Sequence, residues 1–336
     1  MARVRLIDVA ERVGVSMKTV SNVVHGHPNV APALRQRVQA AIDELGYRPN
    51  LTARRLATGK TGMIALAVPE MDHPYFAELS RNVAEVATTL GLRVIIEQTL
   101  ADPAAEAAVL QDREQGLVDG VVFHPVSMDT LQIARLNPDT PLVLLGESAK
   151  PVTADHVMID NRLAAADGTT TLLESGRRRV AFLGVIDHDA TGSTALRLLG
   201  YQEALIGAGA ALEPALVLPV GGFRVADAYA AMRAALEAGI EIDAVLCRDD
   251  RFAIGAVRAI ADHGLRVPQD IAVVGWDDTE LATSSTPTLT SISPDKQALA
   301  REALTLLIER IDGYTGIGRH RIVPHAIATR ESSFQR

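Results

Sequence analysis

Met17, Lys18, Ser21, Asn22 and His25 fall at offsets of 0, 1, 4, 5 and 8, which on a helix of about 3.6 residues per turn brings their side chains out together. Their chemistry suits a nucleic-acid duplex. An asparagine amide matches the adenine edge in the major groove and a lysine the guanine edge, while serine, histidine and lysine can meet phosphates. The solvated face of any amphipathic helix offers a similar set of groups, so the supporting elements decide the matter. The spacing predicts a first helix from about Leu6 to Val13, with Ile7, Ala10 and Val13 on one face and Asp8, Glu11 and Arg12 in water. Gly14 then supplies a turn that tolerates a left-handed backbone, and Ser16 is placed to cap the next helix. Val20, Val23 and Val24 give that second helix a buried face opposite the polar one.

The charge of the chain is concentrated at this end. Residues 1–60 hold ten Lys/Arg against four Asp/Glu, a net of +6, although the whole chain carries −8 and the other 276 residues therefore −14. Arginine outnumbers lysine 29 to 4, so some arginines reflect composition, but that does not create the asymmetry. The segment NVAPALRQRVQAAIDELGY reads as a third helix striped by Leu34, Val38, Ala41, Ile42 and Leu45 and closed by Gly46. In RPNLTARRLATGKTG, Asn50 is a candidate N-cap for a run from Leu51 to about Thr58, stopped by Gly59 and Gly62. Two turns do not hold themselves in water, so this segment is either a helix that orders with a partner or a plain linker.

The pieces DVA, GVS, TVS, LGY, RPN and ARRLATGKT, in this order, closely resemble the headpiece and hinge of LacI/GalR-type transcriptional regulators, and the resemblance runs through the rest of the chain. It implies base readout by Met17, Lys18 and Asn22, with Ser16, Ser21, His25, Tyr47 and Asn50 at or near the DNA backbone. It also implies that Leu56 wedges into the minor groove at the operator centre, with Ala53 and Arg54 lining that groove. Position 17 is Met where relatives carry Tyr, and 22 is Asn where some carry Arg, so the operator sequence does not transfer. The implied domains are a helix-turn-helix headpiece over 1–48, a hinge and linker over 49–61, and an effector-binding and dimerisation core over 62–336.

With 48% apolar and only 4% aromatic residues in 336, the chain can bury sizeable cores, and no run of about 18 apolar residues suggests a membrane span. MARVRLIDVAERVG has no apolar h-region, which predicts a cytoplasmic protein. The single cysteine, Cys247, sits in the apolar run AVLC and reads as structural. From Met63, strands and helices alternate: MIALAV, a helix over Pro74 to Leu90, LRVIIEQ, a helix after Asp102 and Pro103, GVVF, a short helix and PLVLL. A second series follows with VAFLGV, a helix through Ala195 to Ile206, AVLC, a helix from Phe252 to His263, and IAVVGW. The expected fold is thus a small all-α headpiece plus an α/β core of two parallel-sheet lobes. The resemblance implies a periplasmic-binding-protein-like core with crossings near 161, 292 and 321. Lobe 1 would hold about 62–160 and 293–320, and lobe 2 about 161–292 and 321–336.

Ligands of such sheets bind outside the strand C-termini, and suitable residues lie there. Asp72, Tyr75 and Phe76 follow the first strand, Glu147 follows PLVLL, Arg197 VAFLGV, Asp249 AVLC and Asp277 IAVVGW, while Phe223 is on a connecting loop. Arg197, Asp249 and Asp277 match by motif the positions that hold effectors in sugar-responsive relatives. A guanidinium fork donates and carboxylates accept, which suits vicinal hydroxyls, and aromatic faces stack on a pyranose. Asp249 or Asp250 could instead cap a helix, Arg197 could form an interlobe salt bridge, and Asp160 and Asn161 read as structural. No GxSxG, HExxH, P-loop or CxxC pattern occurs, and the nine histidines lack metal-ligand spacing, the closest being His25 and His27. No catalysis, cofactor or metal is expected. The implied function is a DNA-binding regulator, most often a repressor of carbohydrate-utilisation genes, allosterically controlled by a sugar-like effector. Its partners would be a near-palindromic double-stranded operator, the effector and a second copy in a homodimer, with no tetramerising tail. A purine- or other metabolite-responsive member of the same family, or a solute-binding protein without a transcriptional role, are the alternatives.

Overall fold

The computed structural model describes residues 4–24, 29–47, 60–112, 116–136, 141–147, 152–185 and 192–333. The chain divides into two compact units, Met1–Thr61 and Gly62–Arg336. Among the described residues no helix is long and apolar enough to cross a membrane.

The first unit contains α1 (Leu6–Val13), α2 (Met17–Val24) and α3 (Pro32–Leu45). Gly14 takes φ +74° and ends α1, with the N–H groups of Gly14 and Val15 both donating to the Ala10 carbonyl. Ser16 Oγ accepts the Thr19 N–H at 3.2 Å, which is the expected cap. Val9, Ala10, Val20, Val23, Val38 and Ala41 are buried together, with Leu6, Val13, Val24, Leu34, Ile42 and Leu45 packed around them. One expectation is corrected. Ile7 is exposed and Val9 is buried, because α1 turns its 6, 9, 10, 13 stripe inward rather than 7, 10, 13.

The second unit has two six-stranded sheets. Sheet 1 comprises β1 (Met63–Val68), β2 (Arg93–Gln98), β3 (Gly120–Phe123), β4 (Leu142–Leu145), β5 (Asp155–Ile159) and β11 (His320–Val323), all parallel, in the order β11-β5-β4-β3-β1-β2. Its helices are α4 (Pro74–Thr89), α5 (Pro103–Asp112), α6 (Thr130–Leu136) and α12 (Lys296–Ile311). Sheet 2 comprises β6 (Val180–Val185), β7 (Val217–Pro219), β8 (Ala244–Cys247), β9 (Ala272–Trp276), β10 (Thr290–Pro294) and β12 (His325–Ala328), in the order β12-β10-β9-β8-β6-β7, with only β12 antiparallel. It is flanked by α7 (Asn161–Glu174), α8 (Ser193–Gly207), α9 (Val225–Glu237) and α10 (Asp250–Asp262), and α11 (Glu280–Ser284) follows β9.

Helices on both faces explain why the strands are continuous apolar runs. Ile64, Leu66 and Val68 pack with Leu79 and Val83 of α4 and Leu304 and Leu307 of α12, while Ala65, Ala67 and Phe123 face Leu110 of α5 and Ile133 of α6. Sheet 2 divides likewise: Phe182, Leu246 and Val274 face Leu172 of α7 and Tyr201 of α8, and Leu183, Val245 and Cys247 face Met232 of α9 and Phe252 of α10.

The chain passes between sheets three times: after β5, between β10 and α12, and at Pro324 between β11 and β12. The last crossing falls beyond the expected position near 321, because His320–Val323 pair in parallel with His156–Ile159 and stay in the first sheet. Where α7 and α8 cross, a Cβ on Gly200 would lie 2.0 Å from the Arg162 carbonyl oxygen and 3.0 Å from the Ala165 Cβ. Gly200→Val should therefore destabilise the core by about 3 kcal/mol. An unchanged denaturation midpoint would show that the helices can separate without cost.

Candidate functional site

In the headpiece, α2 presents Met17 and Lys18 to solvent and keeps Ser21 and Asn22 half-buried, while Val20 and Val23 fix the helix to the core beneath. Tyr47 follows the left-handed Gly46, and its ring packs against the headpiece core. Arg12 pairs with Glu44 at 2.9 Å and Arg37 donates to the Val13 carbonyl at 3.0 Å, so α3 holds α1 in place and thereby orients α2. His25 and the hinge residues Asn50, Ala53, Arg54 and Leu56 lie outside the described residues.

In the second unit a cavity of about 600 Å³ opens at the C-terminal ends of both sheets. Tyr75, Phe76, Glu147, Arg197, Phe223, Asp249 and Asp277 all line it. Asp72 does not: it is exposed, and its neighbour His73 faces the cavity instead, as the N-cap of α4. His73 Nε2 lies 3.5 Å from Asp249 Oδ2, joining the two sides of the cleft. Asp249 also caps α10 by accepting the Phe252 N–H at 2.9 Å, so capping and cleft lining coincide in one residue. Burial alone would raise its carboxyl, but His73, the Arg248 charge and the capped N–H outweigh it and hold the group at about 2.

Arg197 lies over the Trp276 ring at 3.9 Å. Its Nε donates to Asn161 Oδ1 at 2.7 Å and its Nη1 to the Arg248 carbonyl. Burial lowers its pKa, while Asp277 and Glu147 oppose that shift. Asn161 is almost fully buried, lines the cavity and also donates to Glu147, so this first crossover residue belongs to the site and not merely to the scaffold. Asp160 is structural as expected, capping α7 through the Leu163 N–H at 3.0 Å. Burial raises the Asp277 carboxyl, with Arg197 opposing. The Arg248 guanidinium lies 4.6 Å from the centre of the Phe223 ring.

Sequence reasoning missed His73, His124, Arg248, Arg251 and Trp276. Each adjoins or follows a strand end, and Trp276 is the only tryptophan of the chain. Among the described residues, His124 Nδ1, Arg248 Nη1, Arg251 Nε and Trp276 Nε1 are buried without a hydrogen-bond partner, and all four residues line this cavity. Burial pushes the His124 ring down to about 4, so it is neutral near pH 7 and can both donate and accept. The cleft can therefore offer several unspent donors, carboxylate acceptors and aromatic faces to one small molecule.

Two sheet-based lobes around a ligand-sized cleft define a periplasmic-binding-protein-like core, here preceded by a helix-turn-helix headpiece. The model of the periplasmic-binding-protein-like domain matches residues 169–333, and that of the lacI family of bacterial regulatory proteins matches 5–50. Catabolite control protein A of Priestia megaterium is 30% identical over 98% of this chain and 99% of its own. The lac repressor dimer bound to operator and the anti-inducer ONPF has a TM-score of 0.85 at 25% identity, over 99% of this chain and 100% of that one. The transcriptional regulator CelR in complex with cellobiose has a TM-score of 0.72 at 30% identity, over 98% and 100%. The chain belongs to the lacI family: it is a DNA-binding transcriptional regulator, not an enzyme.

Proposed function

We propose that this regulator represses carbohydrate-utilisation genes and that its cleft takes a small neutral sugar as effector. The observation that carries the reading is the set of side chains around Arg197. Arg197, Arg248 and Arg251 face Glu70, Glu147, Asp249 and Asp277 in one cavity, and burial pushes the Asp277 carboxyl toward its neutral form. Such near-balance suits a polyhydroxyl ligand better than a phosphate or a carboxylate. Phe76 and Tyr75 add rings for an apolar sugar face, and the cavity volume suits a mono- or disaccharide. The cellobiose complex of CelR supports the same class.

On the DNA side, Met17, Lys18 and Asn22 read base edges, while Ser16, Ser21, His25, Tyr47 and Asn50 meet or approach the backbone. Leu56 wedges into the minor groove beside Ala53 and Arg54. One headpiece covers a half-site, so a cytoplasmic homodimer on a near-palindromic operator completes the reading, as the operator-bound lac repressor dimer supports. Effector binding shifts an existing equilibrium between lobe settings and so alters operator affinity.

Trp276, at the cleft floor, provides the test. Emission of the full chain is titrated with glucose, cellobiose, glucuronate, a hexose phosphate and adenine. A neutral sugar should change it saturably and alter binding to a genomic fragment library. A response to adenine or to the anions alone would overturn the sugar reading.

A further inference from the structure

Asp277 and Asp278 stand at φ +94° and +48°, left-handed conformations that non-glycine residues keep only where neighbours hold them. Within the second lobe, Asp250 Oδ2 accepts the Thr279 N–H at 2.7 Å and the Thr279 hydroxyl at 2.9 Å. The Ser291 hydroxyl accepts the Asp278 N–H at 2.9 Å and donates to Asp250 Oδ1 at 2.7 Å. These contacts hold the N–H groups of the turn from its own side.

The first lobe holds the same turn from the other side. Lys296, the first residue of α12, donates from Nζ to the carbonyl oxygens of Asp277 at 2.5 Å and Asp278 at 3.0 Å. The same Nζ lies 2.7 Å from Glu78 Oε2 on α4, so all three ammonium protons have an acceptor. Glu78 Oε1 in turn accepts the Glu280 N–H at 2.9 Å. The two side chains are only 12% and 20% exposed, where such contacts escape most solvent screening.

We propose that Lys296 and Glu78 are positioning residues that form a clasp, through which the first lobe grips the main chain of residues 277–280 and sets the Asp277 carboxylate for the ligand. The inference rests on the reading of the cleft as the effector site. The clasp makes lobe setting and Asp277 orientation one variable: a ligand bound to Asp277 favours the gripped setting, and loss of the grip frees the turn. Because α4 also carries Tyr75 and Phe76, within one turn before Glu78, it ties the aromatic wall to the same movement. Both contacts go to main-chain groups, so the clasp depends on Lys donating and Glu accepting, not merely on opposite charges.

Acrylamide quenching of the sole tryptophan, Trp276, tests this in the full-length chain without any ligand. Trp276 is fully buried and immediately precedes the turn. Lys296→Met and Glu78→Ala should each raise the quenching constant several-fold, with unchanged far-ultraviolet circular dichroism, whereas Lys296→Arg should stay near wild type. The exchange Glu78→Lys with Lys296→Glu keeps an ion pair but puts a donor where an acceptor is needed and the reverse, so it should be as exposed as the single variants. Wild-type protection in the exchange variant would reduce the pair to a structural salt bridge, and unchanged quenching in both single variants would also overturn the clasp. If no sugar alters Trp276 emission while the clasp variants expose it, the sugar reading fails and the clasp stands. If a sugar binds and the variants stay protected, the clasp fails and the effector reading stands.

Discussion

Asp155→Ala should cost the core about 3 kcal/mol or more, because it strips one buried carboxylate from two guanidinium groups that have no other carboxylate as deeply placed. The Asp155 side chain is fully buried at the start of β5. Arg310, at the end of α12, donates to it from Nε at 2.8 Å and Nη2 at 3.1 Å. Arg319 donates from its backbone N–H at 2.7 Å, Nε at 3.1 Å and Nη2 at 2.9 Å. The carboxylate thereby fixes the end of α12 and the entry to β11, an edge strand of the first sheet. Burial alone would raise the group, but the Arg319 and Arg310 hydrogen bonds outweigh it and hold it at about 2, below the ordinary 3.8. The folded value is the lower one, so the stabilisation is complete above the unfolded value and is lost as pH falls toward about 2. Urea unfolding should show a lower midpoint for Asp155→Ala near neutral pH and a smaller difference from wild type in acid. Equal midpoints near neutral pH would refute this.

The same residue shows where the fold was illegible in the sequence. MIALAV, GVVF and AVLC could be read because helices cover both of their faces, leaving no place for a polar residue. DHVMI opens with two polar residues that are buried for specific partners: Asp155 for the two arginines and His156 for the Gly146 carbonyl and His320. A pattern of hydrophobicity cannot anticipate Arg310, Arg319 and His320, which arrive more than 150 residues later. Helix α7, NRLAAADGTTTLLE, is hard to read in the sequence for a related reason. Its glycine and threonines are weak helix formers, and Gly168 lies close to Ile292, where an added Cβ would come 2.7 Å from Cδ1 and push that side chain aside. In the headpiece, the caps at Gly14, Ser16 and Gly46 were legible from local chemistry, whereas the inward face of α1 was displaced because Leu6, Ile7, Val9, Ala10 and Val13 allow two stripes.

At the cleft, the rule that ligands bind at strand C-termini found the right loops and, in one of them, the wrong residue. At a strand-to-helix junction, adjacent side chains diverge: His73 turns in as the α4 cap and Asp72 turns out. Arg248 and Trp276 do not stand out in the sequence because each adjoins a carboxylate that marks the same loop, Asp249 and Asp277 respectively. Asn161 read as a crossover residue, which it is, but the crossover itself forms part of the cavity wall.

Arg197→Met should weaken binding of whichever sugar titrates the wild-type chain by about two orders of magnitude, the loss expected for removing a charged, forked donor from a desolvated site. The consequence extends beyond the missing hydrogen bonds. Arg197 opposes the upward shift of Asp277 caused by burial more than His73 and Lys296 do, and Asp277 and Glu147 in turn favour the charged form of Arg197. Without it, the Asp277 carboxyl is raised further, and its protonated form is a poorer acceptor for a hydroxyl group. Residual binding by Arg197→Met should therefore improve as pH rises and Asp277 loses that proton, over a range higher than in the wild type. Arg197→Lys separates the two effects. An ammonium there restores the charge that favours ionised Asp277, but not the planar fork held between Asn161 Oδ1 and the Arg248 carbonyl and lying flat on Trp276. It should recover the wild-type pH dependence while remaining weak in affinity. Calorimetric titration at a series of pH values, with operator binding measured in parallel to show that the headpiece is intact, distinguishes the outcomes. If Arg197→Met binds as tightly as wild type, Arg197 serves the lobe crossover alone and the ligand lies elsewhere in the cleft.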